Sequence, residues 1–280
     1  MFDNLGRKLT HLRISITQRC NLDCFYCHHE GEKNSGKDMT LGKIIEIAKA
    51  MAKIGIKYVK ITGGEPLLRE DIVQIVYHLA NLKVFKDISL TTNGLLLKDL
   101  AKPLKKAGLN RVNIGCDSIS SSITKKNISH ALLGIIAAKN AGLNPIKLNM
   151  VILKDINHHE VGEMIKFASK HNLILQLIEL IGNNNFDYEK YYFPLKTIEE
   201  ELKEKADRIQ VRELQERKQY YISGGIVEIV SPSYKIFCKK CSKIRVTSDG
   251  RIKPCFMRED TIIFNGKSSI IEAIKKRGGI

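Results

Sequence analysis

Apolar and polar positions along the chain alternate between two periods. Segments 12–17 (LRISIT), 57–62 (KYVKIT), 88–92 (ISLTT), 111–114 (RVNI), 146–153 (IKLNMVIL) and 173–180 (LILQLIEL) are short runs rich in β-branched and other apolar residues, the composition of strands buried on both faces. Between them the apolar residues recur every three or four positions, as on one face of a helix. In 40–53 they are Leu41, Ile44, Ile45, Ala48, Met51 and Ala52. The same spacing predicts helices over 71–82, 98–107, 129–140 and 160–171, two of them closed by Gly108 and Gly142. Six such units in series predict a parallel sheet with crossover helices. Six are too few to close an eightfold barrel, so the expected fold class is α/β, a partial (β/α)6 TIM-type barrel.

The pattern changes after Gly182. The stretch "GNNNFDYEKYYF" is polar and aromatic and reads as a connection, 196–205 as a solvated helix, 219–222, 226–231 and 244–247 as short strands, and 269–276 as a closing helix. The expected division is 1–182 for the partial barrel and 183–280 for a small C-terminal region.

Composition narrows the class further. With 280 residues, 43% of them hydrophobic, the chain can bury one barrel-sized core. No run of about 18 apolar residues exists, which excludes a membrane span. The first residues, "MFDNLGRKLTHLRISIT", hold no apolar leader, so a cytoplasmic protein is expected. The net charge of +16 is spread over helices where lysines alternate with acids or face solvent, and no basic tract stands apart. A nucleic-acid partner is therefore not expected.

Candidate chemistry lies in the cysteines. Six of the seven fall into two groups of three, Cys20, Cys24 and Cys27, and Cys238, Cys241 and Cys255. In a reducing compartment such grouping argues for metal or cluster ligation over disulfides. Cys116 is left over and reads as a small buried residue. The first group admits three readings. Cys24-Phe-Tyr-Cys27-His28 has haem-attachment spacing, but covalent haem belongs with export and leaves Cys20 and the second group without a role. A Cys3His zinc site could recruit His28 or His29. A cubane iron–sulfur cluster could take the three thiolates and keep one iron open. The loop, Gly63-Gly64-Glu65-Pro66, Thr91-Thr92-Asn93-Gly94 and Gly115-Cys116-Asp117 all fall where strands end, the edge at which parallel α/β folds collect their chemistry.

Cys20-x3-Cys24-x2-Cys27 after a first strand, with GGEP after the second, resembles the radical S-adenosylmethionine (SAM) superfamily. The resemblance implies a [4Fe–4S] cluster on the first triad, with SAM chelated to its open iron and cleaved by one electron to a radical. It implies SAM contacts at Tyr26, Gly63, Gly64 and Glu65. Gly63 and Gly64 would let backbone approach the methionine closely, and Glu65 would face its ammonium. The second triad, in "FCKKCSKIRVTSDGRIKPCF", together with "ITGGEPLLR", "SLTTNG" and "IKLNMVILKDINHHE", is similar to the GTP 3′,8-cyclase family, which opens molybdenum-cofactor biosynthesis. That resemblance covers nearly the whole chain. It implies a second [4Fe–4S] cluster on Cys238, Cys241 and Cys255, and GTP contacts at Arg13, Lys60, Thr91, Lys147, Lys243 and Arg245. Lys60 and Lys243 stand where the family has arginine, which keeps the charge and loses the bidentate fork.

Four further departures are Gly115 for a cofactor-contacting serine, Ile181 for methionine, Gln176 for an arginine of many members, and Ser242 for asparagine. Many members also end in a glycine pair, here Gly278-Gly279. The expected reaction joins C3′ of GTP to its C8, giving (8S)-3′,8-cyclo-7,8-dihydroguanosine 5′-triphosphate. The expected partners are a ferredoxin- or flavodoxin-type electron donor, cyclic pyranopterin monophosphate synthase downstream, and a second copy in a homodimer. A peptide-modifying radical enzyme with an auxiliary cluster and a non-enzymatic iron–sulfur carrier are the competing readings. The first needs a peptide groove and usually more C-terminal cysteines; the second needs neither GGEP nor an open iron.

Overall fold

In the computed structural model, which describes residues 1–32, 37–120, 124–182, 186–212, 217–231 and 238–278, strands and helices alternate from the start. The series runs β1 (His11–Ser15), α1 (Leu41–Lys53), β2 (Tyr58–Thr62), α2 (Ile72–Asn81), β3 (Asp87–Thr92), α3 (Leu97–Lys106), β4 (Arg111–Gly115), α4 (Ile128–Asn140), β5 (Ile146–Ile152), α5 (Val161–Lys170) and β6 (Ile174–Glu179). Each predicted element is present within two residues of its expected ends. The stripe of α1 that faces the core is Ile44, Ile47, Ala48 and Met51. Ile45, expected on that stripe, lies at its margin, and Ile47 takes the inner position, because 44, 47, 48 and 51 form the narrower set at helical spacing. Thr40 caps the helix by accepting from the Lys43 N–H.

After β6 come two helices, α6 (Tyr188–Tyr191) and α7 (Leu195–Lys205), then β7 (Arg208–Val211), β8 (Lys218–Ile222), β9 (Gly225–Val230), β10 (Lys243–Val246), β11 (Ile252–Lys253) and α8 (Lys267–Lys275). These strands do not stack apart from the barrel. All eleven form one sheet in the order β11-β10-β1-β2-β3-β4-β5-β6-β9-β8-β7. From β10 through β9 every pairing is parallel, and β7–β8, β8–β9 and β10–β11 are antiparallel. The C-terminal region therefore widens the barrel at both edges and leaves it open between β11 and β7. Two strands were not foreseen. All four residues of β7 are exposed and β11 has two residues, so neither carries a buried-strand pattern. In "GNNNFDYEKYYF" the connection contains the short helix α6, capped by the Asp187 carboxylate; residues 183–185 lie outside the described residues.

A smaller cluster gathers Tyr26, Leu153, Ile156 and Leu180, and the main core is a continuous layer of mostly aliphatic side chains between the sheet and helices α1–α5, α7 and α8. Cys116 is completely buried in it, as expected of a small packing residue, and burial pushes its thiol up to about 12. Among the described residues no helix is long and apolar enough to cross a membrane.

Candidate functional site

The first cysteine loop rests on the ends of β1 and β2. Beyond β2, the Gly64 N–H donates to the Thr17 carbonyl at 2.8 Å and the Glu65 N–H to the Arg19 carbonyl at 2.8 Å. This stitching explains the two glycines. A Cβ on Gly63 would lie 2.4 Å from the Thr17 carbonyl oxygen, and one on Gly64 would lie 2.4 Å from that of Arg19. Only residues without a Cβ let the GGEP turn lie this close to the chain entering the loop. From β3, Asn93 donates its amide to Asn21 inside the loop at 2.8 Å, and Cys27 and Cys24 close a turn at 3.0 Å.

Glu65 is buried below this shelf and accepts from Leu67 N–H (3.0 Å), Thr92 Oγ1 (2.7 Å) and Asn93 N–H (2.7 Å). Burial raises its pKa, and these three donors partly counter the shift. Tyr26 is also buried and donates to Asp117 Oδ2. Asp117 Oδ1 accepts from Val151 N–H at 2.7 Å.

The sequence reading missed Lys126. Its ammonium lies 3.7 Å from Asp117 Oδ2 and 5.3 Å from the centre of the Tyr26 ring, and its stem runs 3.1 Å from where a Gly115 Cβ would be. Burial would lower its pKa; Asp117 and the nearby Cys24, Cys27 and Cys20 raise it instead. No pattern in "ITKKN" marks this residue.

The second triad is assembled from distant segments. The Cys241 N–H donates to the Cys238 carbonyl at 3.2 Å, and Cys255 follows β11. Arg7 donates to the Cys238 carbonyl at 2.8 Å and Arg277 to the Cys241 carbonyl at 2.8 Å. Asp3 joins the two arginines, at 2.7 and 2.8 Å. The Ser242 carbonyl accepts from Thr10 and His11, which fixes the triad against the start of β1. Burial works against ionisation of Cys241, yet its pKa falls, because the Lys243 N–H and the Lys243, Arg277 and Arg245 charges favour the thiolate.

All six cysteines line one cavity of about 560 Å³. Between the triads its wall is cationic, for a reason set by register. Parallel pairing places Arg245 beside Arg13 and Arg13 beside Lys60, a row across β10, β1 and β2. Lys147 and Thr91 both neighbour Asn113 on β4. All six expected GTP contacts thus line the same cavity.

Their surroundings differ. Glu30, three residues past Cys27, takes Arg13 through Nε at 2.7 Å and also through Nη2, Arg245 Nη1 at 2.9 Å, and Thr62 Oγ1 at 2.9 Å. Burial alone would raise its pKa; the two guanidiniums hold it far below the usual range. Lys147 sits on both oxygens of buried Glu228, at 2.8 and 2.7 Å, and burial brings its pKa down to about 8. Lys60 has no such carboxylate among the described residues: burial, then Arg111, Arg13, Lys243 and Lys147, push its ammonium well below its usual pKa. Lys243 is pushed the same way by burial and by Arg217. His11, amid Lys243, Arg111, Lys60 and Arg217, is held near 3, chiefly by burial. Thr91 Oγ1 and Asn113 Oδ1 are buried without hydrogen-bond partners among the described residues. Neither Glu30 nor Glu228 was foreseen, since each acts through strands remote in sequence.

The donor set fits iron–sulfur clusters. Each triad consists of thiols alone, and all seven cysteines are free. Among the described residues no three His, Cys, Asp or Glu side chains converge tightly enough to hold a single ion. His28 does not join the first triad as a zinc ligand: its Nδ1 accepts from the Glu30 N–H at 3.1 Å, and its ring packs edge-on against Phe256. Gly278 lines the cavity, while Gly279 lies outside the described residues.

Comparisons with known proteins place this geometry. Residues 14–168 match the Radical SAM superfamily and residues 173–273 match Molybdenum Cofactor Synthesis C. A probable GTP 3′,8-cyclase of Archaeoglobus fulgidus is 41% identical over 98% of this chain and 97% of its own length. One of Methanothermobacter marburgensis is 43% identical over 93% of this chain and 88% of its own. Among solved structures, Streptococcus suis SuiB bound to S-adenosylmethionine aligns at a TM-score of 0.70 and 16% identity, covering 96% of this chain; the chain spans 65% of that longer structure. A structure of anSMEcpe with bound AdoMet and a peptide aligns at 0.65 and 18% identity, over 95% of this chain and 80% of that one. The structural likenesses show the open-barrel fold.

Proposed function

The chain belongs to the radical SAM superfamily and, within it, to the GTP 3′,8-cyclase family, and on that premise we propose how its residues divide the work. The reaction is the conversion of GTP and SAM to (8S)-3′,8-cyclo-7,8-dihydroguanosine 5′-triphosphate in molybdenum cofactor biosynthesis. When bound, two [4Fe–4S] clusters and SAM supply the one-electron chemistry that removes hydrogen from ribose C3′.

Cys20, Cys24 and Cys27 would hold the first cluster. Glu65, with three donors already on its oxygens, stays fixed as an anion for the methionine ammonium. Tyr26, anchored to Asp117, walls the same end, and the tight backbone at Gly63 and Gly64 forms its floor. Cys238, Cys241 and Cys255 would hold the second cluster, on the substrate side of the same cavity. Lys60 and Lys243 take the phosphates, both lining the cavity wall that Arg13 and Arg245 share. Arg13 and Arg245 flank them on the shared Glu30 carboxylate, Lys147 approaches from β5 on Glu228, and the unsatisfied Thr91 hydroxyl offers a ligand contact. The chain's contribution is to set ribose C3′ and guanine C8 at bonding distance and to keep water away from them.

One observation carries this reading: both thiol triads open on a single cavity whose wall between them is cationic. The test is anaerobic reconstitution with iron and sulfide, followed by reductant, SAM and GTP. Roughly eight irons per chain, as two cubanes require, and the cyclised nucleotide are the expected results. Zinc in either triad, or SAM cleavage that ignores GTP, would refute it. Free thiol triads suit a reducing compartment, which supports a cytoplasmic enzyme. The electron requirement supports a reduced ferredoxin- or flavodoxin-type donor, and the family's place in molybdenum cofactor synthesis supports onward use of the product by cyclic pyranopterin monophosphate synthase. A homodimer remains part of the proposal, with sedimentation as its test.

A further inference from the structure

The hairpin of β7 and β8 brings in two arginines for which the cation row gives no role. The Arg212 N–H donates to the Arg217 carbonyl at 2.9 Å, so the two residues face one another across the hairpin's inner end. Both line the cavity. Both reach Glu228 on β9, Arg212 Nη1 at 2.9 Å and Arg217 Nη1 at 4.0 Å. Glu228 is fully buried and already holds Lys147 on both oxygens and the amides of Gln176 (2.5 Å) and Gln219 (2.8 Å). Three cations thus share one carboxylate, and Arg217 has the longest contact of the three. Burial lowers its pKa to about 10; Glu228 opposes the fall, and Arg212, then Arg13 on β1 and Arg111 on β4, add to it.

β7 and β11 are the two free edges of the sheet. Arg217, beside the hairpin at one edge, and Lys243 and Arg245 on β10, beside the other, line the same cavity. β6, the strand between the hairpin sheet and β5, offers no cation here: Gln176 gives its amide to Glu228 and accepts from Asn113 at 3.0 Å.

We propose that Arg217 is a phosphate ligand for the substrate, gripping its polyphosphate chain from the edge of the sheet opposite Lys243 and Arg245. Arg212 and Glu228 hold it in place. A phosphate presents more acceptor oxygens and more charge to the guanidinium than the carboxylate it shares with Lys147 and Arg212. The inference rests on the proposed GTP reading and deepens it, since it makes the hairpin a gauge of phosphate number.

The test is equilibrium dialysis of GTP, GDP and GMP against the anaerobic, cluster-loaded protein, for the wild type, Arg217→Met, Arg217→Lys and Glu228→Gln. Arg217→Met should weaken GTP about tenfold to a hundredfold and leave GMP within about twofold, collapsing the GTP-to-GMP ratio. Arg217→Lys should restore part of that ratio, a recovery that a purely structural arginine would not give. Glu228→Gln should weaken both nucleotides less selectively, through loss of the Lys147 and Arg212 anchors. Equal loss for GTP and GMP in Arg217→Met, or an unchanged ratio, overturns the proposal. Wild-type protein that binds none of the three would instead sink the GTP reading itself. Thermal melts of each variant identify any that fail to fold, and Arg217→Lys then decides alone.

Discussion

The two cysteine triads, each proposed to hold a cluster, are built on opposite plans. The first lies within eight residues, on a loop whose floor is the GGEP turn and whose roof is Asn93. The second joins Cys238 and Cys241 to Cys255, and is steadied from both ends of the chain by Arg7, Asp3 and Arg277. The first is local geometry supported by neighbouring strand ends. The second depends on contacts more than two hundred residues apart in sequence. The difference separates what a motif encodes from what only the completed sheet can supply.

The largest effect should come from the local triad. Cys24→Ala should abolish 5′-deoxyadenosine and product together and leave about four irons per chain, those of the remaining cubane. Chromatography of quenched assays and iron analysis check both. Cys241→Ala should also leave about four irons, but retain 5′-deoxyadenosine while cyclised nucleotide falls to background. Full product yield from Cys241→Ala would merge the two triads into one function and break the comparison.

Next in size is Glu30, the residue that ties the first loop to β10. Removing its charge leaves Arg13 and Arg245 facing each other without their shared carboxylate, and breaking a buried pair costs about 3–5 kcal/mol. Glu30→Gln should lower the thermal midpoint markedly, whereas the partly exposed pair Arg258–Asp260 should tolerate Asp260→Asn with little change. A midpoint equal to wild type would mean that the loop and β10 are held by other contacts.

Acid should sharpen the contrast between ligand-facing and structural charge. Glu228 is held near 2, below its ordinary 4.5, since Lys147 and Arg212 outweigh the opposing effect of burial. A depressed carboxylate contributes stability that is fully present above pH 4.5 and is lost as pH falls toward 2. Urea midpoints across that window should decline in the wild type more steeply than in Glu228→Gln. Parallel slopes would show that Glu228 ionises as freely in the unfolded chain.

Much of this contrast was legible in the sequence, and the reasons are specific. The strand and helix periods placed the six barrel units, and the Cys20, Cys24, Cys27 and GGEP spacing placed the first site, because each depends on neighbours in the chain. The cation row did not follow from periodicity: Arg245, Arg13 and Lys60 align only because β10 pairs in parallel with β1, from the far end of the chain. Family resemblance supplied those residues where local pattern could not. It did not supply Glu30, Glu228, Lys126 or Arg217, whose roles arise from charges brought together by the sheet. GGEP was expected to let backbone approach a methionine; its glycines are also demanded by carbonyls of the chain itself, at Thr17 and Arg19.

The smallest effect concerns Gly115, which stands where the family has a serine that contacts the cofactor. A Cβ there meets the Lys126 Cδ at 3.1 Å and the Thr92 carbonyl at 3.7 Å. The closer neighbour is the middle of a flexible side chain, so it can yield by a few tenths of an ångström. Gly64→Ala, by contrast, would press on the carbonyls of Gln18 and Arg19, which cannot yield without moving the cysteine loop. Gly115→Ser should therefore change SAM affinity by no more than a few-fold, about 1 kcal/mol, while Gly64→Ala should impair both cluster loading and SAM binding. If Gly115→Ser proved as damaging as Gly64→Ala, the stem of Lys126 would be as fixed as backbone, and the rigidity of the first site would reside in its side chains as well as in its turn.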